Sequence, residues 1–556
     1  MSSALESLGR SPLFEALDAS ELEDVLELMQ PRSFAANEVI CREGEPGTSL
    51  FVIVDGLAEV LYAGAAPGEH KVVARLRSGD VVGELSLITG ERRAATVVAA
   101  IPANALELGQ EGFTSLLSQY PPILVNLTRI LSGRLARMRN TLRERGEAVA
   151  LVVGRAGEPL LNDVIGATEA ASARSVAVLD TRESFESVLA GLDDALLTHG
   201  TVLVVASAGQ QSLPHILDHA ERIVVLGDRA DLERLTGQSD RPQELVLVDD
   251  GGGPGSLGVI HSLSHGDTAG VSWLGRHLAR TKLGLALGAG GAKGYAHVGA
   301  LYELEEAGYT VDYVAGSSIG AVVGAYLASG MSATEVDAAM HRAFSPARVA
   351  EMFKLSLTGG AGLEAITEAF RETTGTLTFD DLEIPLSVMA VDLVTRRPSP
   401  VTDGTLLEGL LAATALAGMY PPFERDGQRL VDGLALVPVP TGTVLELGAD
   451  VIVSVNIINR ETLEAWPGVT EVPEAPRVRA GSRVLDTLLE VMDLSQLDSS
   501  VRHAELADVV VSPRFGPGSW KDFHLADLFL DAGRQATKAQ LPVLRALARP
   551  SSGAPV

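Results

Sequence analysis

The chain runs to 556 residues, with 44 basic against 72 acidic side chains and a formal net charge of −28. That balance excludes nucleic acid as a partner, since its phosphates demand a positive surface, and leaves docking on anionic lipid to a local basic patch. A hydrophobic content of 46% supports about three or four domains with buried cores; the single cysteine, Cys41, excludes an intrachain disulfide framework or a cysteine-based metal site and fits a reducing compartment.

Residues 1–30 carry short helical patterns at Pro12-Leu-Phe and Ser20–Leu28. Met1–Arg10 lacks a basic start and an apolar core, so no signal peptide is expected. From Val39 to Leu108 short apolar runs (Val39–Cys41, Leu50–Val54, Ala58–Tyr62, Lys71–Ala74 and Ala95–Val98) alternate with turn signals such as Glu45-Pro-Gly and Ser78-Gly-Asp, the pattern of a β-roll or barrel. Within it, the Gly83 turn and a short helix opening at Glu84 and Leu85 offer backbone N–H groups to an anion. Glu84 suits a ribose hydroxyl and Arg93 a phosphate. The segment resembles the phosphate-binding cassette of cyclic nucleotide-binding domains, down to the Glu-to-Arg spacing. The resemblance implies a pocket of Gly83, Glu84, Leu85, Arg93, Ala94 and Ala95, with Glu84 on the ribose 2′-hydroxyl and Arg93 on the cyclic phosphate. Ala94, where cGMP-preferring relatives often place Thr, leans toward cAMP over cGMP. The plainer alternative is a β-roll that kept its fold and lost its ligand.

Tyr120–Glu147 repeats apolar residues at helical spacing (Val125, Ile130, Leu131, Leu135, Met138, Leu142) among arginines, which predicts an amphipathic helix. Capping of the nucleotide, pairing with a second copy as a homodimer, plain packing and a basic membrane-surface helix all stay open for it. Residues 148–248 then alternate apolar runs (Ala148–Val153, Ser175–Leu179, Thr201–Val205, Arg222–Leu226, Glu244–Val248) with helical stretches, the signature of a parallel α/β sheet. Gly154-Arg-Ala-Gly157 lacks the Walker ending, and no Rossmann fingerprint follows the first strand, so a spacer without nucleotide chemistry is expected. Gly251–Gly255 reads as a loop.

The chemistry concentrates after Lys282. Leu283–Leu287 reads as a strand, Gly288-Ala-Gly-Gly-Ala-Lys-Gly294 as a glycine loop opening a helix, and Val311–Ala315 as a second strand. Gly316-Ser-Ser318-Ile-Gly320 then opens a small-residue helix. A serine between glycines at a strand-to-helix turn is the nucleophile-elbow pattern: Gly316 and Gly320 free the turn, and the helix N-terminus favours developing negative charge. A glycine loop alone could cradle a dinucleotide pyrophosphate, but the next strand ends in the elbow and not in an acidic ribose ligand. An oxyanion hole, with amides around Gly290 and Gly291 approached closely by substrate, is the more coherent role. The uncharged stretch Tyr313–Thr334, broken by Gly316, Gly320, Gly324 and Gly330, reads as strand plus buried helix in preference to a membrane span. Further on, Asp450–Val455 reads as a buried strand, and Val484–Leu497 and Leu525–Leu547 as amphipathic helices.

The glycine loop, Gly316-x-Ser318-x-Gly320 and Val431-Asp432-Gly433 follow in the order and spacing of patatin-like phospholipases, and with the nucleotide cassette the whole chain resembles a bacterial relative of neuropathy target esterase. The resemblance implies a Ser318–Asp432 dyad without metal and an oxyanion loop of Gly288, Gly290, Gly291, Lys293 and Gly294. It further implies a phospholipid or lysophospholipid acyl ester as substrate. The chain departs from the family at Ala289 and Lys293 in the loop, and at Leu434 and Val437 after the acid. The last two bear on the acid loop's shape, and they keep open a second reading, a cyclic-nucleotide-binding regulatory protein with a weak or inactive hydrolase domain. A triad also stays open, because His503 and His524 follow Asp432 in α/β-hydrolase order; His297 reads as a packing or capping residue and His341 as a surface one. The expected organisation is multidomain: a β-roll cyclic nucleotide-binding domain with its C-terminal helix (1–146), a Rossmann-like α/β spacer (147–274), an α/β patatin-like hydrolase domain (275–548) and a disordered tail (549–556). The expected place is the cytoplasm, with peripheral contact at the inner membrane face.

Overall fold

The computed structural model describes the chain outside residues 1, 15–16, 37, 64–69, 77, 90–91, 94, 121–122, 124–125, 127–145, 183–184, 232–242, 249–258, 346, 350, 353–360, 459–482, 517 and 551–556. The arginine-rich segment after Tyr120, the Gly251–Gly255 loop, Ala94 and the last six residues therefore lie outside the described residues. Contacts divide the chain into two compact units, Met1–Met138 and Arg139–Val556.

The first unit holds two four-stranded antiparallel sheets. One runs in the order Val39–Cys41, Thr96–Ala99, Ala58–Ala63, His70–Leu76; the other runs Gln30–Phe34, Ala103–Gly109, Ser49–Asp55, Val81–Val82. Every expected strand falls in one of them. Gln30–Phe34 is an addition with a physical reason: it is an edge strand with four of five residues exposed and a proline at its second position, so it carries no hydrophobic run to read. Helix Ala19–Glu27 begins at a capping box between Asp18 and Glu21.

The second unit contains two sheets. The first is six-stranded and parallel, in the order Val176–Asp180, Thr201–Ser207, Glu147–Val153, Arg222–Gly227, Gln243–Val248, Val259–Leu263. Its central strands are near-continuous Val, Ile, Leu and Ala runs because helices cover both faces. Helix Thr268–Leu278 closes one face against helix Leu161–Ala171, with Gly275 packed against the backbone of Ala167. The expected border between 274 and 275 falls inside this helix. Past it, the Arg276 guanidinium forks onto Asp312 at 2.7 and 3.1 Å, and Arg280 bonds Glu147 at 2.8 Å. These pairs join the start of one sheet to the start of the next.

The last sheet has eight strands, with a parallel core of Leu386–Asp392, Val311–Ser317, Leu283–Leu287, Val451–Val455 and Val509–Val511. Helix Ile319–Ala328 is apolar on every side and buried, as such a helix must be. Helices Tyr295–Glu306 and Ala526–Leu547 pack at close range, with Gly299 against Leu530 and Gly533 against Ala296. Among the described residues no helix is long and apolar enough to cross a membrane.

Candidate active site and nucleotide cassette

Strand Leu386–Asp392 organises the edge that carries Ser318 and Asp432. Residues Val388–Asp392 pair with Arg397–Val401 along one side. Its other side is shared: Val311–Ser317 occupies it up to Met389, and Gln428–Asp432 takes over from Ala390, arriving antiparallel. Ser317 thus lies opposite Met389 and Asp432 opposite Ala390. Two segments 114 residues apart in sequence are brought end to end, and Ser318 is the first residue beyond the junction.

Ser318 sits at φ 54°, ψ −124°, a conformation that L-residues rarely hold unless the surroundings impose it. The glycines explain how. A Cβ on Gly316 would run into the backbone of Gly320 and Ala321, and one on Gly320 into the carbonyls of Leu287 and Gly288. The hydroxyl donates to Asp432 Oδ2 at 2.6 Å. Asp432 Oδ1 accepts from the Leu434 N–H at 2.8 Å. The carboxylate is buried, and burial raises its pKa to about 6 against the opposing pull of those two hydrogen bonds.

The glycine loop is pinned on both sides of its middle. The Gly288 N–H donates to Val455 O (3.1 Å) and that of Ala289 to Pro438 O (2.9 Å), while Ala292 N–H reaches Trp520 O (2.7 Å) and Lys293 N–H reaches Gly290 O (3.3 Å). The carbonyl of Gly288 accepts from His297 Nε2 at 2.7 Å. Among the described residues no acceptor meets the N–H of Gly290 or Gly291, and both residues line the same cleft as Ser318 and Asp432. Gly291 has φ 58°, and a Cβ there would meet Trp520 O at 2.5 Å, so only glycine fits. Gly294 packs on Ile319, tying the loop to the helix that follows Ser318, and the Lys293 side chain is buried.

The cleft spans about 840 Å³ including its open mouth. Its lining is largely apolar and includes Val322, Phe344, Phe370, Leu416, Met419 and Trp520. The Ser318 hydroxyl and the Asp432 carboxyl stand among these apolar side chains, the mix of an apolar lining with few polar groups found in small-molecule sites.

In the first unit the cassette residues also converge. Gly83 turns at φ 87° into helix Glu84–Thr89, with Glu84 fully buried and Arg93 nearly so. Arg93 Nη1 donates to Gly83 O at 2.9 Å and Nη2 to Ser49 Oγ at 3.4 Å. The backbone of Arg93 is held by Glu45 O and Gly44 N, which fixes the guanidinium beside the Gly83 turn. Ala95 follows at a half-buried bend; the Leu85 side chain is not described.

The cyclic nucleotide-binding domain profile matches residues 31–120 and the patatin-like phospholipase profile residues 285–445. The chain joins a cyclic nucleotide-binding domain to a patatin-like phospholipase domain. An uncharacterized NTE family protein of Mycobacterium tuberculosis (strain ATCC 25618 / H37Rv) is 26% identical over 573 residues, covering 97% of this chain and 96% of its own length. A second NTE family protein of that strain is 32% identical over 212 residues, 37% of this chain and 58% of its own. Patatin-like phospholipase domain-containing protein 6 of Mus musculus is 24% identical over 529 residues, 76% of this chain and 37% of that one.

Within the patatin-like domain, Leu434 and Ala289, two of the departures from the family pattern, touch the same small apolar cluster with Ile458. The larger side chain after the acid and the methyl in the loop fill one space together, a relation invisible at a separation of 145 positions in sequence. Val437 N–H closes the turn on Gly433 O at 2.8 Å. Of the histidines, His297 is wholly buried and held neutral, its pKa pushed down to about 4 by burial. His341 is half exposed beside Asp337. His503 bonds Ser499 O in its own helix at 2.7 Å, and His524 is exposed. No described histidine bonds Ser318 or Asp432. Trp520, a wall of the cleft and an anchor of the loop, escaped sequence reading because no local pattern marks a residue whose role lies in a segment over 200 positions away.

Proposed function

We propose that the patatin-like domain hydrolyses an acyl ester of a phospholipid or lysophospholipid through a Ser318–Asp432 dyad. The observation that carries this reading is the 2.6 Å bond from Ser318 Oγ to a buried carboxylate with raised basicity, facing an apolar cleft that also holds two uncommitted amides. Ser318 Oγ attacks the ester carbonyl carbon as Asp432 Oδ2 takes its proton. The tetrahedral oxyanion accepts from the N–H groups of Gly290 and Gly291. The C–O bond breaks, Asp432 returns the proton to the leaving alcohol, and the acyl group stays on Ser318. Water then gives a proton to Asp432, attacks the acyl carbon and releases the fatty acid, and the proton returns to Ser318. The lone Ser–Asp bond supports a dyad over a triad through His503 or His524. The seating of Leu434, whose amide bonds Asp432, supports a working site over a weak or inactive one.

The cyclic nucleotide-binding domain takes cAMP in this reading, with Glu84 on the ribose and Arg93 on the phosphate, and tunes the hydrolase from the cytoplasm or the inner membrane face. The experiment is fatty acid release from a lysophospholipid by wild type, Ser318→Ala and Arg93→Glu, each with and without cAMP. Release is expected from wild type and Arg93→Glu but not from Ser318→Ala, with any cAMP response confined to wild type. Release by Ser318→Ala above the uncatalysed rate overturns the dyad; equal cAMP affinity in Arg93→Glu overturns the nucleotide assignment.

A further inference from the structure

The carboxyl edge of the patatin-like sheet carries a feature that the chemistry does not use. Strand Leu386–Asp392 and strand Arg397–Val401 form a hairpin with Asp392 opposite Arg397. Ala390 is level with Asp432, so the tip begins three residues further on, about 10 Å beyond the catalytic acid at the usual strand rise. The tip sequence is Leu393-Val-Thr-Arg-Arg397, and all five residues are exposed. Leu393 is 43% and Val394 59% exposed, while neighbouring residues of this strand are buried.

The tip is not a loose end. The Asp392 carboxylate accepts from the N–H groups of Val394 (3.0 Å), Thr395 (3.2 Å) and Arg429 (3.1 Å), and Arg396 is held at φ 58° with its N–H on Asp392 O at 2.7 Å. The bends present two aliphatic side chains and then two arginines. Neither Arg396 nor Arg397 forms an ion pair with a described residue, whereas Arg425 and Arg429 on the adjoining hairpin are tied to Asp403 and Glu424. In a chain of net charge −28, two adjacent arginines without an ion pair to a described residue, set behind an apolar knuckle, supply local positive charge that attracts anionic lipid. Leu436, two residues past the cleft-lining Leu434, is also exposed.

We propose that Leu393–Arg397, with Leu436, docks the protein on an anionic phospholipid surface and brings the cleft to its substrate, an inference that rests on the lipid-hydrolase reading above. The aliphatic side chains enter the interfacial layer while Arg396 and Arg397 meet lipid phosphates. The alternatives are a second copy of the chain or no occupant.

The test uses full-length protein carrying Ser318→Ala, so that the vesicles survive, and flotation with vesicles of phosphatidylcholine alone or mixed with phosphatidylglycerol. Parent protein should partition preferentially onto the mixed vesicles. Arg396→Ser with Arg397→Ser should weaken that partition about 25-fold, about fivefold per charge, and erase the preference. Leu393→Ser with Val394→Ser should weaken binding to both vesicle types. On the Ser318 background, hydrolysis of a short-chain monomeric ester should be unchanged by either pair, and hydrolysis of vesicle lipid should fall. Partition equal to the parent's overturns the proposal, as does a parallel loss on the monomeric ester or a change in oligomeric mass. A wild type that cleaves neither ester would sink the hydrolase reading instead, and the partition data would still decide the surface.

Discussion

Asp392 and Asp432 are both buried and stand on paired strands, Asp432 level with Ala390 two positions before Asp392, yet the chain drives their carboxyls in opposite directions. Asp392 faces the amides of Val394, Arg429 and Thr395, and those hydrogen bonds hold its pKa down to about 2 against the cost of burial. Asp432 receives one amide and one serine hydroxyl, and burial raises it to about 6. Two causes separate them: desolvation leads at Asp432, whereas fixed N–H donors, Val394 first, lead at Asp392. A carboxylate surrounded by amides is a structural anchor; one left short of them is a base. The hairpin tip and the acid loop are thus built from the same residue type with opposite chemistry.

The largest expected effect comes from removing the charge at the under-supplied site. Asp432→Asn should lower kcat by about 10³-fold, within the range for a lost general base. It should also stabilise the fold at neutral pH. The folded pKa of Asp432 lies above its unfolded value, so its ionisation disfavours folding; the penalty is absent below the ordinary carboxylate pKa near 4 and complete above about 6. Removing it is worth on the order of 3 kcal/mol at pH 7. Urea unfolding of wild type and variant should coincide near pH 4 and diverge toward pH 7, with the variant the more stable. Equal stability at both pH values would mean that the carboxylate is better solvated than its burial implies. For the same reason kcat of wild type should rise with pH through about 6 and level off.

The next effect tests where the charge goes when Asp432 takes the proton. In the proposed mechanism it moves to the substrate oxygen, and the Gly290 and Gly291 amides receive it. Gly291→Ala forces a side chain into φ 58° against Trp520 O and should displace the loop, lowering kcat by about 10²-fold while KM changes little. A change confined to KM would remove these amides from the transition state.

Much of this was legible in sequence for a physical reason. The elbow, the glycine loop and Asp432-Gly433 are local patterns in which glycines are forced by backbone crowding, and the buried parallel strands announce themselves as apolar runs. The cassette is equally local, from Gly83 to Arg93. What could not be read were relations among distant segments. The shared edge of strand Leu386–Asp392, the packing of Ala289 with Leu434 and the Trp520 carbonyl on the loop all depend on tertiary register. Leu393–Arg397 carries no sequence motif; only the exposure of its leucine and valine beside arginines with no ion pair to a described residue marks it out. Helix Thr268–Leu278 spans the border expected between 274 and 275, packing on helix Leu161–Ala171 and bonding Asp312 through Arg276.

The smallest catalytic effect should come from Asp392→Asn, and its contrast with Asp432→Asn is the sharpest form of the comparison. The folded pKa of Asp392 lies below its unfolded value, so the charged form stabilises the fold above pH 4, and that contribution is lost as pH falls through about 2. Asparagine keeps one acceptor oxygen for three N–H donors that now share two. The variant should therefore melt below wild type at pH 7 and match it near pH 2, the opposite sign to Asp432→Asn. Because Asp392 does not reach Ser318, cleavage of a monomeric ester should stay within about threefold of wild type, far short of the 10²-fold or greater losses that follow removal of a reacting group. Vesicle hydrolysis should fall further than that, since the substitution loosens the bends that present Leu393, Val394 and the two arginines. Equal losses on both substrates would show that the anchor supports the acid loop itself, and the two aspartates would then be one structural unit and not two.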